Sequence, residues 1–258
     1  MDCFGDSSSD EEEEVIRRDE SCGVCSFHSN TESSLLMHVR NSNRSNGAED
    51  VLMAIDDFCV KRHWMMNIGP DKGAILKQLL RDAINQKASA NVSGASFVAV
   101  ELGTYCGYSS IVMASEFRAT STSLNCHWYT TEIERSYAAI AREMIHLVVR
   151  DALNGDDSGR VQPMIDFLFI DHDKDAYTQD LQKFEDSGLI GKGTTVVADN
   201  VIFAGIQDYI DYVQEKQTEG VVRTRTIPCC VEYSGGNVDD DEKRYQDGIE
   251  VTVYLQNP

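Results

Sequence analysis

Residues 100–109, with the sequence VELGTYCGYS, form the most informative stretch of the chain. They continue an apolar run that predicts a β-strand, and Gly103 and Gly107 allow the backbone to turn tightly beside a ligand before a helix begins. The spacing lacks the further glycine that cradles a pyrophosphate, which disfavours NAD. The stretch therefore predicts a nucleotide-type pocket, with a purely structural strand-to-helix turn as the alternative.

Short apolar runs alternate with helical patterns along most of the chain. The runs that predict strands lie at 97–100, 127–129, 147–149, 167–170 and 195–198. Helices are expected over the apolar run at 111–114, which follows the glycine turn, around 136–144, and between the last two strands. This alternation is typical of βαβ units covered on both faces. Two further strands, at 220–227 and 249–255, are expected to pair antiparallel. We therefore expect an α/β fold with a central, mostly parallel sheet, an antiparallel edge strand and helices on both faces.

The first 47 residues differ in composition from the rest. Residues 1–47 are rich in Ser, Asp, Glu and Asn and poor in aromatic residues, so they cannot bury enough surface to offset the entropy of ordering. We expect a disordered acidic N-terminal arm, followed by one folded domain at 48–258. That domain is predicted to begin with one helix from Ala48 to Val60 and another that opens at Pro70.

Eight cysteines are few for a chain of 258 residues, and reduced thiols are the better interpretation. Cys22, Cys25 and His38 have the spacing of three zinc-finger ligands. No fourth ligand follows at residues 41–44, so we favour two chance thiols over a zinc site.

Charge limits the classes of partner. Asp and Glu total 43 against 23 Lys and Arg, for a formal net charge of -20, and such a surface repels nucleic acid and anionic lipid. No run approaches the roughly 20 apolar residues of a membrane helix, and the acidic N-terminus is unlike a signal peptide. We expect a cytoplasmic monomer that binds a small molecule, with no nucleic-acid partner and no membrane association.

Polar side chains follow several predicted strands at the point where each strand ends. Glu132 follows one strand and could bind both hydroxyls of a ribose. Asp171, Asp199 and Asn200 follow two others, so their oxygens are expected to converge at the carboxyl edge of the sheet. Oxygen-only ligation favours Mg²⁺ over zinc or copper, whereas helix capping is the alternative role for the aspartates.

The motif ELGTYCGYS at 101–109 resembles the cofactor motif of the catechol O-methyltransferase family. Four more blocks agree in order, and the resemblance spans about residues 48–255; the blocks are 64–69 with Lys72-Gly73, 169–175, 198–201 and 231–233. It implies a Rossmann-like class I methyltransferase fold. It also implies Mg²⁺-dependent transfer of a methyl group from S-adenosylmethionine to a hydroxyl of a catechol or related vicinal diol.

The resemblance assigns roles to particular residues. The implied cofactor contacts are Met66, Ile68, Glu101, Gly103, Tyr105, Ser109, Glu132, Ile133 and Asp171. The implied metal ligands are Asp171, Asp199 and Asn200, and the implied substrate contacts are Trp64, Lys174, Asn200 and Glu232. Lys174 would be the catalytic base, because a lysine near a cation and partly desolvated is suited to accept the proton of an acceptor hydroxyl.

The chain departs from the family pattern at the acceptor slot and in the middle segment. Asp173 replaces an aromatic residue and Ala204 replaces a proline, and an aspartate in that position would favour a cationic acceptor such as an amine. The segment between Glu132 and Asp171 is short, and Asp151 is only a loose candidate to face adenine.

These departures leave two alternative functions open. One is an O-methyltransferase for another phenolic small molecule, because the altered walls do not define the acceptor. The other is a non-catalytic binding protein with a methyltransferase fold.

Overall fold

A computed structural model describes residues 30–42, 47–90, 95–120, 124–148, 164–234 and 244–258. A sheet of six strands runs through the described chain, in the spatial order β2-β1-β3-β4-β6-β5. The strands are β1 (Ser96–Leu102), β2 (Asn125–Thr131), β3 (Phe167–Ile170), β4 (Thr195–Ala198), β5 (Val222–Cys230) and β6 (Gln246–Tyr254). Strands β1 to β4 are parallel, while β6 runs antiparallel to both β4 and β5. The predicted mostly parallel sheet with an antiparallel edge is confirmed.

Helices cover both faces of this sheet. They are α1 (Thr31–Ser42), α2 (Ala48–Lys61), α3 (Gly69–Ser89), α4 (Tyr108–Ala119), α5 (Arg135–Val148), α6 (Tyr177–Asp186) and α7 (Gln207–Thr218), with a short 3₁₀ turn at Lys174–Ala176. None of the described helices combines the length and apolar composition needed to cross a bilayer.

Two apolar cores lie on opposite faces of the sheet, because successive strand residues point to opposite sides. In β3, Phe167 and Phe169 pack with helices α1 to α5, whereas Leu168 and Ile170 pack with α6 and α7. All four side chains are buried, which explains why the strand is a continuous apolar run.

One predicted helix is confirmed and one predicted strand was wrong. The helix expected after the glycine turn is α4, which begins just after Gly107 and includes residues 111–114. Residues 147–148 end α5 instead of forming a strand. Ile140, Met144 and Val148 are all buried there at a spacing of four, so the apolar stripe of the helix continues to its last residue.

The expected disordered arm at 1–47 is corrected in part. Residues 31–42 form helix α1, and Leu35 and Val39, one turn apart, are completely buried in the core shared with α2 and α5. Arg40 also pairs with Glu143 of α5 at 2.5 Å. The folded domain therefore includes α1 as well as the helices predicted from residue 48 onward. Residues 1–29, including Cys22 and Cys25 of the zinc hypothesis, lie outside the described residues.

Candidate active site

The carboxyl ends of the parallel strands form one edge, and most of the predicted site residues follow those ends. Backbone bonds hold the ends together: the N–H of Gly103 donates to Thr131 at 3.0 Å, that of Asp171 to Leu102 at 2.9 Å, and that of Asp199 to Ile170 at 3.0 Å. The four strand ends therefore meet where an open α/β sheet binds its ligands.

The glycine turn after β1 passes close to the end of β3. Gly103 has φ +96°, and a Cβ there would overlap the carbonyl oxygen of Asp171. Gly107 has φ +90° and precedes α4 directly. Glycine is required at position 103 for two reasons, the left-handed backbone and the close approach of a second chain segment.

Glu101 lies beneath this turn and is completely buried. Its carboxylate accepts hydrogen bonds from the hydroxyls of Ser109, Ser110 and Thr130. Burial raises the pKa of Glu101 to about 7, against the opposing effect of those three hydroxyl donors. The structure thus joins Glu101 and Ser109, two residues of the predicted cofactor set, in one buried network.

Glu132 connects the end of β2 to the glycine turn. Its carboxylate accepts from the backbone N–H of Tyr105 at 2.7 Å and from that of Glu134 at 2.9 Å, while the neighbouring Ile133 is 99% exposed. The Tyr105 hydroxyl donates to Glu32 of α1 at 2.9 Å. Sequence analysis missed Glu32, because a polar residue in a polar segment gives no signal of such a contact.

Lys174 is held in place by two neighbours at the end of β3. Its ammonium donates to Asp171 Oδ1 at 2.8 Å and to the Tyr177 hydroxyl at 2.7 Å. Tyr177 is fully buried, and its hydroxyl lies 3.3 Å from the carbonyl oxygen of Asp199. The predicted metal ligands and the predicted base are therefore neighbours, and Tyr177 is an additional contact that sequence analysis missed.

A buried charge cluster lies beside Asp199, and sequence analysis missed it. Lys72 Nζ is 2.7 Å from Asp199 Oδ1 and 2.5 Å from Asp247 Oδ2, and the three residues are at most 2% exposed. Asp247 also accepts from the Asn200 amide at 2.9 Å. Although burial works against the ammonium, the two aspartates raise the pKa of Lys72. Because a lysine at a helix start and an Asp-Gly pair are usually exposed, neither position signals burial.

The donor set of Asp171, Asp199 and Asn200 fits a hard cation. Burial raises the pKa of Asp199 to about 6; Lys72 opposes the rise and the carboxylate of Asp171 adds to it. A second positive charge near these carboxylates would therefore be favourable. Within the described ranges, no three His, Cys, Asp or Glu side chains are grouped to hold a metal, and in the predicted set the third donor would be the amide oxygen of Asn200.

Glu232 and Trp64 meet at the N-terminus of α3. Glu232 Oε1 accepts from the backbone N–H groups of Asp71 and Lys72, each at 3.1 Å, and the Trp64 indole donates to the Glu232 carbonyl at 3.0 Å. Burial raises the pKa of Glu232 to about 7, although the Lys72 amide opposes the shift. The two predicted substrate contacts are thus brought together by the segment that precedes α3.

The other predicted residues of that segment differ in exposure. Met66 is 45% exposed, whereas Ile68 is 4% exposed and belongs to the apolar core. The side chain of Met66 is therefore the accessible one of the two.

The two departures from the family pattern are exposed turn residues. The carboxylate of Asp173 accepts from the N–H of Asp175 at 3.2 Å and caps the 3₁₀ turn that carries Lys174. Ala204 lies in the turn after Asn200, where its N–H donates to the Asn200 carbonyl at 3.0 Å. Beside it, the half-exposed Phe203 ring lies 5.8 Å from the Tyr245 ring. Asp151 lies outside the described residues.

The fold is that of a class I methyltransferase, and comparison with known proteins agrees. The sequence model of an O-methyltransferase family matches residues 42–226. The chain is 31% identical over 233 residues to catechol O-methyltransferase B of Danio rerio, covering 86% of this chain and 78% of the relative. It is 32% identical over 195 residues to catechol O-methyltransferase of Mus musculus, covering 71% and 68%.

A solved structure shares the fold. The O-methyltransferase TomG from Streptomyces achromogenes, in complex with S-adenosylmethionine, gives a TM-score of 0.52 at 18% identity, covering 93% of this chain and 92% of that one. The family match and the identity to the two relatives extend over most of this chain. The chain belongs to the O-methyltransferase family.

Proposed function

We propose that this protein transfers a methyl group from S-adenosylmethionine to one hydroxyl of a catechol or related vicinal diol, with Mg²⁺ at the sheet edge. The observation that carries the proposal is the contact of Lys174 with Asp171, next to Asp199 and Asn200 at adjoining strand ends. The similarity to two catechol O-methyltransferases supports the acceptor class.

The cofactor side of the proposal rests on the turn after β1. Gly103 and Tyr105 lie in that turn, and Glu132 is fixed against the N–H of Tyr105, with Ile133 exposed beside it. Met66 is exposed on the segment before α3. These residues would bind S-adenosylmethionine, which supplies the methyl group, while the buried Glu101 with Ser109 and the carbonyl of Asp171 shape the turn from below.

The metal side would use Asp171, Asp199 and Asn200 as oxygen donors. Bound there, Mg²⁺ would supply positive charge that favours the ionised form of an acceptor hydroxyl. Asn200 donates its amide N–H to Asp247, which leaves its amide oxygen as the donor atom. The chemistry of the set, two carboxylates and one amide oxygen, is that of a magnesium site.

Proton transfer is assigned to Lys174. Once its ammonium has released a proton and the nitrogen carries a lone pair, Lys174 Nζ would take the proton of the reacting hydroxyl; Asp171 and Tyr177 hold that nitrogen at the strand ends. Glu232 would accept a hydrogen bond from the second hydroxyl, and Trp64, bonded to the backbone of Glu232, would contact the ring. Holding the two reactants aligned supplies much of the rate enhancement in such a transfer.

The departures at Asp173 and Ala204 favour a second candidate acceptor within the same reaction. Both residues are exposed in turns beside the site, and the aromatic pair of Phe203 and Tyr245 lies next to Ala204. Because these two residues leave the acceptor open, a phenolic compound other than a simple catechol is the second candidate.

The proposal is tested by transfer from labelled S-adenosylmethionine to a panel of catechols and other phenols, with Mg²⁺ or with a chelator. We expect transfer that requires Mg²⁺ and that falls by about 10²- to 10⁴-fold in Lys174→Ala, because the general base is lost. Lys183→Ala is the matched control, since Lys183 is an exposed lysine that pairs with Asp180 at 2.9 Å. Equal activity in Lys174→Ala and Lys183→Ala, or full activity with the chelator, would contradict the mechanism.

Measuring the binding of S-adenosylmethionine distinguishes an enzyme from a non-catalytic binding protein. Binding of S-adenosylmethionine without transfer to any acceptor of the panel would favour a binding protein with a methyltransferase fold.

A further inference from the structure

Lys72 is a buried lysine to which the proposed mechanism gives no task. It lies in the first turn of α3 and is 2% exposed, with its ammonium between Asp199 Oδ1 at 2.7 Å and Asp247 Oδ2 at 2.5 Å. A buried charge is costly unless it is closely paired, and a well-packed apolar residue often stabilises a protein equally well. Its place beside Asp199 therefore suggests a task in the site.

The ammonium fixes one oxygen of Asp199. With Oδ1 directed at Lys72, the other carboxylate oxygen is the one left to face a cation. Without the ammonium, the Asp199 side chain would lose the partner that sets its orientation, and Asp247 would be left as a buried carboxylate with reduced compensation.

Asp247 also fixes the orientation of Asn200. Its Oδ2 accepts from the Asn200 amide at 2.9 Å, and its Oδ1 accepts from the backbone N–H of Phe203 at 3.0 Å. Asn200 has φ +59°, a left-handed conformation that non-glycine residues rarely adopt. Asp247 thus holds both the amide group and the turn that follows it.

The backbone of Lys72 reaches the acceptor side as well. Its N–H donates to Glu232 Oε1 at 3.1 Å. A single residue therefore contacts the carboxylate proposed to bind the acceptor and, through its side chain, a carboxylate proposed to bind the metal.

We propose that Lys72 is a positioning residue, which together with Asp247 holds Asp199 and Asn200 in the orientation that binds a divalent cation. The inference rests on the proposed function. Lys72 is not among the residues proposed to contact the cofactor or the acceptor, and its ammonium has no lone pair with which to ligate a metal. Groups that orient metal ligands typically change metal affinity by about 10- to 100-fold when they are removed.

The test is a titration of the full chain with Mn²⁺, in which the unbound ion is measured by electron paramagnetic resonance. Lys72→Met is expected to raise the Kd for Mn²⁺ by about 10- to 100-fold. Its Kd for S-adenosylmethionine should stay within about twofold of the wild type, because the cofactor contacts are on other elements. Lys77→Met, the same substitution on the same helix but away from the cluster, should leave both constants unchanged.

Activity gives a second readout. The Mg²⁺ concentration for half-maximal activity should rise in Lys72→Met by the same factor as the Kd, while kcat at saturating Mg²⁺ should stay within about threefold. Loss of a merely structural ion pair would not raise the Mg²⁺ requirement while leaving kcat at saturating Mg²⁺ nearly unchanged.

If Lys72→Met does not fold, the Mn²⁺ titration is made with Asp247→Asn, because this substitution keeps the side-chain volume and removes the charge. It should weaken Mn²⁺ binding by about tenfold. Wild-type Mn²⁺ affinity in either folded variant would overturn the positioning role alone. A wild type that binds no Mn²⁺ would overturn the metal part of the proposed function, and the positioning role with it.

Discussion

On the β1–β2 side of the site, the buried Glu101 is held by three neutral hydroxyls, whereas on the β3–β4 side the buried Asp199 is held by the ammonium of Lys72. In the first network, the contact between Ser109 and Glu101 is local, since the two residues are eight positions apart. The contact between Thr130 and Glu101 joins the neighbouring strands β2 and β1. The second joins residues 175 positions apart, Lys72 and Asp247.

The difference shows how one sheet edge can hold two kinds of buried carboxylate. Burial without a nearby counter-ion raises the pKa of Glu101 to about 7, so about half of the molecules carry a neutral carboxyl at that pH and most of them do at lower pH. Beside Lys72, burial raises the pKa of Asp199 to about 6 although the ammonium opposes the rise, while at Asp247 the effect of burial is outweighed by Lys72 and the pKa is lowered. Both aspartates are therefore mostly ionised at pH 7. The uncharged network belongs to the proposed cofactor side, and the charged one to the proposed metal side.

The largest effect is expected where the two sides touch, at Gly103. Gly103→Ala adds a Cβ that overlaps the Asp171 carbonyl, and it does so at φ +96°. We expect a loss of at least about 3 kcal/mol in the free energy of unfolding, measured by urea denaturation, together with loss of S-adenosylmethionine binding.

Gly193→Ala is the matched control for that substitution. Gly193 has φ +97°, but its added Cβ would meet nothing within 4 Å. It should cost only about 1 kcal/mol, the penalty of the backbone conformation alone. Equal losses in the two variants would show that the two sides of the site are not closely packed at Gly103.

A smaller effect is expected from the titration of Glu101. The pKa of Glu101 is raised by burial from 4.5 to about 7, so the folded protein keeps a proton that the unfolded chain releases. The free energy of unfolding should therefore fall as the pH rises from about 4.5 to about 7, by up to roughly 3 kcal/mol from this group.

Glu101→Gln should flatten this part of the stability profile, because glutamine does not titrate. The measurement is urea denaturation at several pH values between 5 and 8. Glu219→Gln, at an exposed position, should keep the wild-type profile. If the free energy of unfolding of Glu101→Gln depends on pH as it does in the wild type, the hydroxyl network keeps Glu101 ionised. Both sides of the site would then hold an ionised buried carboxylate.

The smallest effect is expected at Asp173, which is exposed and therefore screened by solvent. Asp173→Asn should lower the kcat/KM ratio of catecholamines over catechol acids by about two- to fivefold, because a favourable charge is lost. Asp175→Asn, at the exposed position two residues on, is the control. Equal kcat/KM for catecholamines and catechol acids in the wild type would exclude an electrostatic preference by Asp173.

Much of the fold followed from local patterns. The strands β3 and β4 and the antiparallel pair of β5 and β6 were predicted at nearly their observed positions, since apolar runs and their order determine a sheet of this class. Helix α1 was missed, because Leu35 and Val39 are too few apolar residues to stand out in a polar segment. Residues 147–148 were misassigned because a short apolar run has no distinctive period.

The sequence also identified the chemistry of the strand ends, namely Asp171, Lys174, Asp199 and Asn200, although their roles stay predictions. Residue type and position after a strand suffice for that, because parallel strands bring their carboxyl ends to one edge. The burial of Lys72 between Asp199 and Asp247, and the capping of α3 by Glu232, came only from the folded chain. Such contacts join segments with no shared local pattern, and whether a lysine is solvated or buried depends on what packs around it.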